Sequence, residues 1–229
     1  MTQPAGAVPE TRGALVGRRM SAPVMHGYFR PRILGAWRMP ASGPVILAGN
    51  HSHNVDGPLL MGTSPRPVHF LIKQEAFVGI VGWYLRTIGQ VAIDRTTADR
   101  AAITRALGVL DDGGVLGIFP EGSRGEGDFS SIRAGLAYFA VRSGAPVVPV
   151  AVLGTAERRS RVVKALPPVR SHVDIVFGEP FQAGSPDGRR TRKAMDEATL
   201  RIQDRLTAHL AAARRDTGRW AGHRPPDQT

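Results

Sequence analysis

The segment Pro44-Val-Ile-Leu-Ala-Gly-Asn-His-Ser-His-Asn-Val-Asp-Gly57 joins a short apolar run to a polar loop. The run lies between two glycines and consists of aliphatic residues, which predicts a buried strand over 44–48. The loop carries His51 and Asp56. The apolar residues that follow predict a helix over 57–63, and a carboxylate at position 56 can cap its first turn. A strand, a loop and a helix in succession indicate the first unit of an α/β alternation.

The same alternation continues along the rest of the chain. Further strands are predicted over 68–72, 90–93, 115–119, 147–152 and 173–177, and further helices over 75–87, 97–110, 132–142 and 191–214, with Thr97 as a plausible cap of the third helix. This order predicts an α/β fold with a mainly parallel central sheet flanked by helices. One domain is therefore expected over 41–215, preceded by a helical segment over 1–40 and followed by a disordered tail over 216–229.

The composition limits the chemistry and indicates a charged partner. The 229 residues include no cysteine, which excludes disulfides, thiolate metal sites and cysteine nucleophiles. The net charge is +11, and it divides into +5 over 1–40, +1 over 41–188 and +5 over 189–229. A basic balance of this size favours a polyanionic partner, either nucleic acid or an anionic membrane surface. No nucleic-acid reader motif is present, so no nucleic-acid partner is expected.

The N-terminal segment has the composition of a membrane-contacting element. Residues 13–38 mix apolar side chains with arginine, which predicts one or two amphipathic helices broken near Pro23 and Pro31. Tyr28, Phe29 and Trp37 lie beside Arg30, Arg32 and Arg38. Aromatic and basic residues in this mixture suit a helix in the membrane interface. The longest nonpolar run has ten residues, 76–85, whereas a spanning helix needs about 20. A peripheral protein on the cytoplasmic face, without a transmembrane helix, is expected.

Polar residues follow three of the predicted strands, where α/β proteins place their functional groups. His51 can act as a general base, with Asp56 fixing its tautomer. Arg95 follows the third strand, and the Gly-rich loop after the fourth carries Glu121 and Arg124. A guanidinium in such a loop can bind phosphate through two hydrogen bonds. Each residue also has an ordinary interpretation: a loop histidine, a helix cap, an ion pair with Asp94 or Asp99, or a loop salt bridge.

Four motifs in order resemble one enzyme family. The chain reads Asn50-His51 through Asp56, then Gly89-Gln-Val-Ala-Ile-Asp-Arg95, then Phe119-Pro-Glu-Gly-Ser-Arg124, then Val148-Pro-Val150. The glycerolipid acyltransferases, which include the lysophosphatidate-acyltransferase-like enzymes, are similar in both order and spacing. The resemblance covers about residues 45–180. It departs from the family at His53, where a serine is usual, at Ala92, where an aromatic residue is usual, and at Ser123 and Gly125.

The resemblance implies a direct acyl transfer from a thioester, without an acyl-enzyme. His51 would take the proton of an acceptor hydroxyl and Asp56 would orient it. Arg95 and Arg124 would hold the acceptor phosphate, and Glu121, Gly122 and Ser123 would shape that site. The acceptor is expected to be a lysophospholipid, most commonly 1-acylglycerol 3-phosphate, with glycerol 3-phosphate or another lysolipid as the alternative. Acyl-CoA or acyl carrier protein is the expected donor, and no cofactor is expected.

Two further expectations concern the apolar run and a metal site. In the family a tunnel beside the sheet takes the acyl chain, and the residues expected to contact that chain or the membrane are Phe77, Ile80, Trp83 and Tyr84. An ordinary core helix is the alternative for this run. His51, His53 and Asp56 also allow a metal-dependent hydrolase as a less favoured alternative, although their spacing differs from the usual H-x-H-x-D-H cluster. No metal site is predicted.

Overall fold

The computed structural model describes residues 8–9, 11–96, 99–122, 127–155, 166–184 and 191–219. Within these residues the chain forms one seven-stranded sheet and six α-helices. The strands are β1 (Arg30–Leu34), β2 (Val45–Gly49), β3 (Val68–Lys73), β4 (Val91–Ile93), β5 (Val115–Ile118), β6 (Val147–Leu153) and β7 (His172–Phe177). The helices are α1 (Thr11–Tyr28), α2 (Asp56–Thr63), α3 (Gly79–Thr87), α4 (Arg100–Asp111), α5 (Gly135–Ser143) and α6 (Arg192–Thr217).

The sheet has the strand order β1-β7-β6-β2-β5-β3-β4. The five strands from β6 to β4 are parallel to one another, whereas β7 runs antiparallel to β6 and pairs in parallel with β1. The predicted α/β fold with a mainly parallel sheet is therefore confirmed. Because β6, β2 and β5 are adjacent and parallel, the loops that follow them meet at one edge of the sheet.

Helices cover both faces of the sheet, which explains why the central strands are apolar throughout. Val45 and Leu47 of β2 pack on the side of α1 and α2, in a cluster that includes Leu59 and Leu60. Ile46 and Ala48 point to the other side, where α4, α5 and α6 supply the helical residues of the second cluster. All five residues of β2 are buried.

The N-terminal segment differs from its prediction. Residues 30–34 form a strand rather than a helix, and this strand lies at the edge of the sheet beside β7. Pro31 is tolerated there because a proline at a sheet edge need not donate to a neighbouring strand. Pro23 lies inside α1 without ending the helix. Phe29 is buried and Tyr28 is half-buried, so neither is an exposed interfacial side chain, and only Trp37 of the three is exposed.

The start of α4 and the end of α6 also differ from their predicted positions. Helix α4 is capped by Asp99, whose carboxylate accepts from the backbone N–H of Ala102, and the predicted cap Thr97 lies outside the described residues. Helix α6 continues through Thr217, past the predicted start of the tail at 216. Arg219 then forms an ion pair with Asp174 of β7. Residues 220–229 of the predicted tail lie outside the described residues.

Candidate active site

His51 and Asp56, which the motif pairs in sequence, also pair in space. The Nδ1 atom of His51 lies 3.2 Å from Oδ2 of Asp56. The histidine side chain is 20% exposed and the aspartate side chain 0% exposed. A carboxylate on Nδ1 places the ring hydrogen on that atom and leaves Nε2 as the proton acceptor. The pair therefore has the arrangement of an oriented general base.

The sequence allowed Asp56 to cap α2, but in the structure it does not. The helix has no side-chain cap, and Asp56 is its first residue. Its carboxylate instead accepts from the backbone N–H groups of Ser52 and His53 at 2.9 and 2.7 Å and from the hydroxyl of Thr155 at 2.8 Å. A buried carboxylate needs such donors, because leaving its oxygens without partners is costly.

Aromatic packing fixes the plane of the histidine ring. Phe119, the first residue after β5, stacks on His51 with ring centroids 4.3 Å apart and an interplanar angle of 19°. Phe70 of β3 stacks on the far side of Phe119, with centroids 5.4 Å apart. Phe119 is part of one of the four motifs, but the sequence predicts no role for its ring. The stacking is therefore a second contact on the His51 ring, in addition to the Asp56 carboxylate.

The loop after β2 is anchored to β6 by a side-chain amide. Asn50 donates to the carbonyl of Val152 at 3.0 Å and accepts from its N–H at 2.7 Å. Asn50 is buried, so these two bonds satisfy both ends of the amide. They continue the pairing of β2 with β6 by one residue and fix where the histidine loop begins.

Two arginines meet at Gly122 in the loop after β5. Arg95 donates to the carbonyl of Gly122. This glycine has a φ of +74°, and a Cβ on it would collide with the guanidinium of Arg133. Partial burial, and after it the charge of Arg133, lowers the pKa of Arg95. Arg133 was not predicted, since it lies outside the quoted motifs. Ser123 and Arg124 lie outside the described residues.

Glu121 lies between the histidine loop and the loop that leads to α5. Burial raises the pKa of this carboxyl above its ordinary value, against a smaller lowering by the backbone N–H groups of His51 and Phe129. Its Oε1 atom is buried and has no hydrogen-bond partner among the described residues. Its predicted role of shaping the phosphate site depends on these contacts between loops.

A cavity of about 360 Å³ opens beside the histidine. One set of lining residues is polar or basic and includes His51, Lys73 and Arg95, with Gly122 beside them. The other is apolar and comes from α2, α3 and the segments around β3; it includes Met61, Phe70, Tyr84, Leu85 and Ile88. One cavity is thus lined by His51, by cationic groups and by an apolar wall.

The four predicted acyl or membrane residues separate into different environments. Tyr84 lines the cavity, and Phe77 is buried beneath α3 without lining it. Ile80 and Trp83 are 80% and 65% exposed on the outer side of that helix. The sequence missed the α2 and β3 residues of the wall, because only the fold shows which apolar positions face the cavity.

A family model identifies the family of this chain. A family model described as Acyltransferase matches residues 30–153, more than half of the chain. The chain belongs to the acyltransferase family. This confirms the resemblance found in the four motifs, and it confirms that the chain is an acyltransferase.

Named relatives of the acyltransferase come from several bacteria and from plastids. It is 28% identical to a 1-acyl-sn-glycerol-3-phosphate acyltransferase of Bacillus subtilis over 72% of this chain and 83% of the relative. It is 30% identical to the enzyme of that name from Borreliella burgdorferi over 54% of this chain and 51% of the relative. The crystal structure of the 1-acyl-sn-glycerophosphate acyltransferase PlsC from Thermotoga maritima has a TM-score of 0.63 at 24% identity and covers 88% of this chain and 79% of its own.

The metal-dependent alternative would need several metal-binding side chains close together. Over the described ranges, no three His, Asp or Glu side chains are grouped as metal ligands would be. The backbone N–H of His53 donates to Oδ2 of Asp56, and its Nδ1 atom accepts from the backbone N–H of Val55 at 3.4 Å. His53, the main departure from the family motif, therefore helps to shape the loop around the carboxylate.

Proposed function

We propose that this acyltransferase moves an acyl group from a thioester to the free hydroxyl of 1-acylglycerol 3-phosphate, with His51 as general base. The observation that carries the proposal is the cavity in which His51 lies among cationic groups and an apolar wall. A lysolipid phosphate has both an anionic head and an apolar tail. The names of the relatives from Bacillus subtilis and Borreliella burgdorferi support the same acceptor.

The reaction follows from the free ring nitrogen. Nε2 of His51 takes the proton of the acceptor hydroxyl as its oxygen attacks the thioester carbonyl. A C–O bond forms, the C–S bond breaks, and the proton passes from His51 to the leaving thiolate. Asp56 stabilises the imidazolium formed between these events. The chain contains no cysteine, and the proposed route needs no acyl-enzyme.

Cations around the cavity would bind the phosphate. Lys73 and Arg95 both line it, and Arg133 lies next to Gly122, whose carbonyl accepts from Arg95. Guanidinium groups bind phosphate oxygens in pairs of hydrogen bonds, and an ammonium adds a point charge. Arg124, from the motif, is proposed as a further ligand. Acyl-CoA or acyl carrier protein is the proposed donor, without a cofactor.

An acceptor panel tests this function. Purified protein with acyl-CoA is expected to release CoA faster with 1-acylglycerol 3-phosphate than with glycerol 3-phosphate or lysophosphatidylcholine, measured with a thiol reagent. Arg95→Gln should raise the acceptor KM about 10- to 100-fold, because it removes one charge-assisted contact worth about 1.5–3 kcal/mol. Arg142→Gln on α5, on the opposite side of the sheet, removes the same charge and serves as control. Equal CoA release with and without every acceptor would contradict the proposal.

We also propose that the enzyme docks on the anionic cytoplasmic face of a membrane. Val78, Ile80, Val81 and Trp83 are all more than half exposed around α3, the helix whose Tyr84 and Leu85 line the cavity. Val16, Met20 and Val24 form a second exposed stripe on α1, and Gly13 and Gly17 of this helix pack against residues 87–89. None of the described helices is long and apolar enough to span a bilayer. Exposed apolar clusters of this kind mark interaction sites.

Vesicle sedimentation tests the docking face. The double variant Ile80→Ser with Trp83→Ser is expected to lower binding to anionic vesicles at least tenfold, since it removes two exposed apolar side chains worth more than about 1.5 kcal/mol each when buried. Leu200→Ser on α6 is the control, because Leu200 is 61% exposed on a helix of the opposite layer. Wild-type protein that does not sediment with anionic vesicles at low salt would overturn the proposal.

A further inference from the structure

Thr155 follows β6 and contacts the carboxylate that orients the base. Its side chain is fully buried, and its hydroxyl donates to Oδ1 of Asp56 at 2.8 Å. The other three donors, from His51, Ser52 and His53, all reach Oδ2. Among the residues that the structure describes, Thr155 is thus the one donor to Oδ1.

The bond from Thr155 to Asp56 decides which hydroxyl donates in the contact between Ser52 and Thr155. Oγ of Ser52 lies 3.3 Å from Oγ1 of Thr155. Because the single hydroxyl hydrogen of Thr155 is used on Asp56, Ser52 is the donor in that contact. Ser52, Thr155 and Asp56 therefore form a chain of hydrogen bonds whose members polarise one another.

The backbone places Thr155 independently of the hydroxyl. Val152, three residues earlier, is held on both its N–H and its carbonyl by Asn50. Gly154 has a φ of +92°, a conformation that glycine adopts readily and that turns the chain after the strand. The loop that carries His51 and the turn that carries Thr155 are thus held together by Asn50, without any contribution from the Thr155 hydroxyl.

We infer that Thr155 is a positioning residue for acyl transfer. By holding Oδ1, it keeps the carboxylate from rotating and keeps Oδ2 toward Nδ1 of His51. Without it, a buried carboxylate oxygen loses its donor, and the carboxylate supports the imidazolium less well. This inference rests on the proposed role of His51 as general base.

Steady-state kinetics with acyl-CoA and 1-acylglycerol 3-phosphate test the inference. Thr155→Val keeps the shape and removes the donor, and it is expected to lower kcat about 10- to 100-fold, the scale of one hydrogen bond to a charged group. The acceptor KM should stay within about twofold, because Thr155 does not line the cavity. Thr155→Ser restores the hydroxyl and should recover kcat to within about threefold of the wild type.

The control is the same change at a buried threonine elsewhere. Thr63 of α2 is buried and donates to the carbonyl of Leu59, so Thr63→Val should leave kcat within twofold. Thermal unfolding of each variant separates lost positioning from lost folding, and Thr155→Ala carries the same test if Thr155→Val does not fold. The inference would be overturned if Thr155→Val kept the wild-type kcat, or if the kcat of Thr155→Ser were no higher than that of Thr155→Val. In either case a low kcat in His51→Ala would still support the proposed function. Equal rates for the wild type and His51→Ala would instead overturn the proposed base.

Discussion

Replacing His51 with alanine is expected to lower kcat about 10²–10⁴-fold at saturating acceptor, the range that general base catalysis supplies. The imidazole is the group in the cavity whose free nitrogen can take the hydroxyl proton, since Nδ1 faces Asp56. The proposed phosphate ligands are Lys73, Arg95, Arg124 and Arg133 rather than this ring, so the acceptor KM should change little. CoA release measured over a range of acceptor concentrations separates the two constants.

The matched control is a histidine away from the cavity. His172, at the start of β7, is exposed, and His172→Ala should leave kcat near that of the wild type. A His51→Ala protein that folds normally and keeps more than about a tenth of the wild-type kcat would show that another group takes the proton.

Asp56→Asn is expected to lower kcat by up to about 10⁴-fold without unfolding the protein. An asparagine can keep its carbonyl oxygen at the Oδ2 position, where it still accepts from the N–H groups of Ser52 and His53 and from His51. Its amide group then faces the oxygen of Thr155, which can accept a hydrogen bond. The geometry is kept and the negative charge is lost, so the imidazolium loses its support.

A comparison with alanine separates charge from structure. Asp56→Ala leaves those donors without an acceptor in a fully buried place, and it should lower the free energy of unfolding by about 2–5 kcal/mol, more than Asp56→Asn. Asp111→Asn, at the exposed end of α4, is the control for loss of a carboxylate charge. Wild-type kcat in Asp56→Asn would show that the charge is not needed, and denaturant unfolding gives the stability of each variant.

Much of the fold could be predicted because the central strands are short apolar runs between turn residues. β2 and β6 were placed to within one residue of their observed ends, since strands covered on both faces show no polar positions. β1 was missed because Arg30-Pro-Arg-Ile-Leu34 carries two arginines and a proline. Its strand conformation comes from pairing with β7, about 140 residues later in the chain, which local patterns do not show.

The candidate site was predicted in part for a related reason. The motifs carry His51, Asp56 and Arg95, and these positions follow strand ends, where functional groups gather. Thr155 contacts Asp56 and Phe119 contacts His51 because β6 and β5 lie on either side of β2, and the sequence does not show this strand order. The Thr155 contact spans 99 residues of sequence, so it depends on the order of strands in the sheet rather than on any spacing.

Helix α1 contributes to the cavity although it lies outside the part of the chain that the family model matches. Ser21 of this helix lines the cavity, and Gly17 packs against Met61 and Ile88, two further lining residues. The family match begins only at residue 30, after the helix has ended. Part of the cavity wall is therefore built by a segment outside the residues that the family model matches. A change in α1 would therefore alter the shape of the cavity while leaving every family motif unchanged.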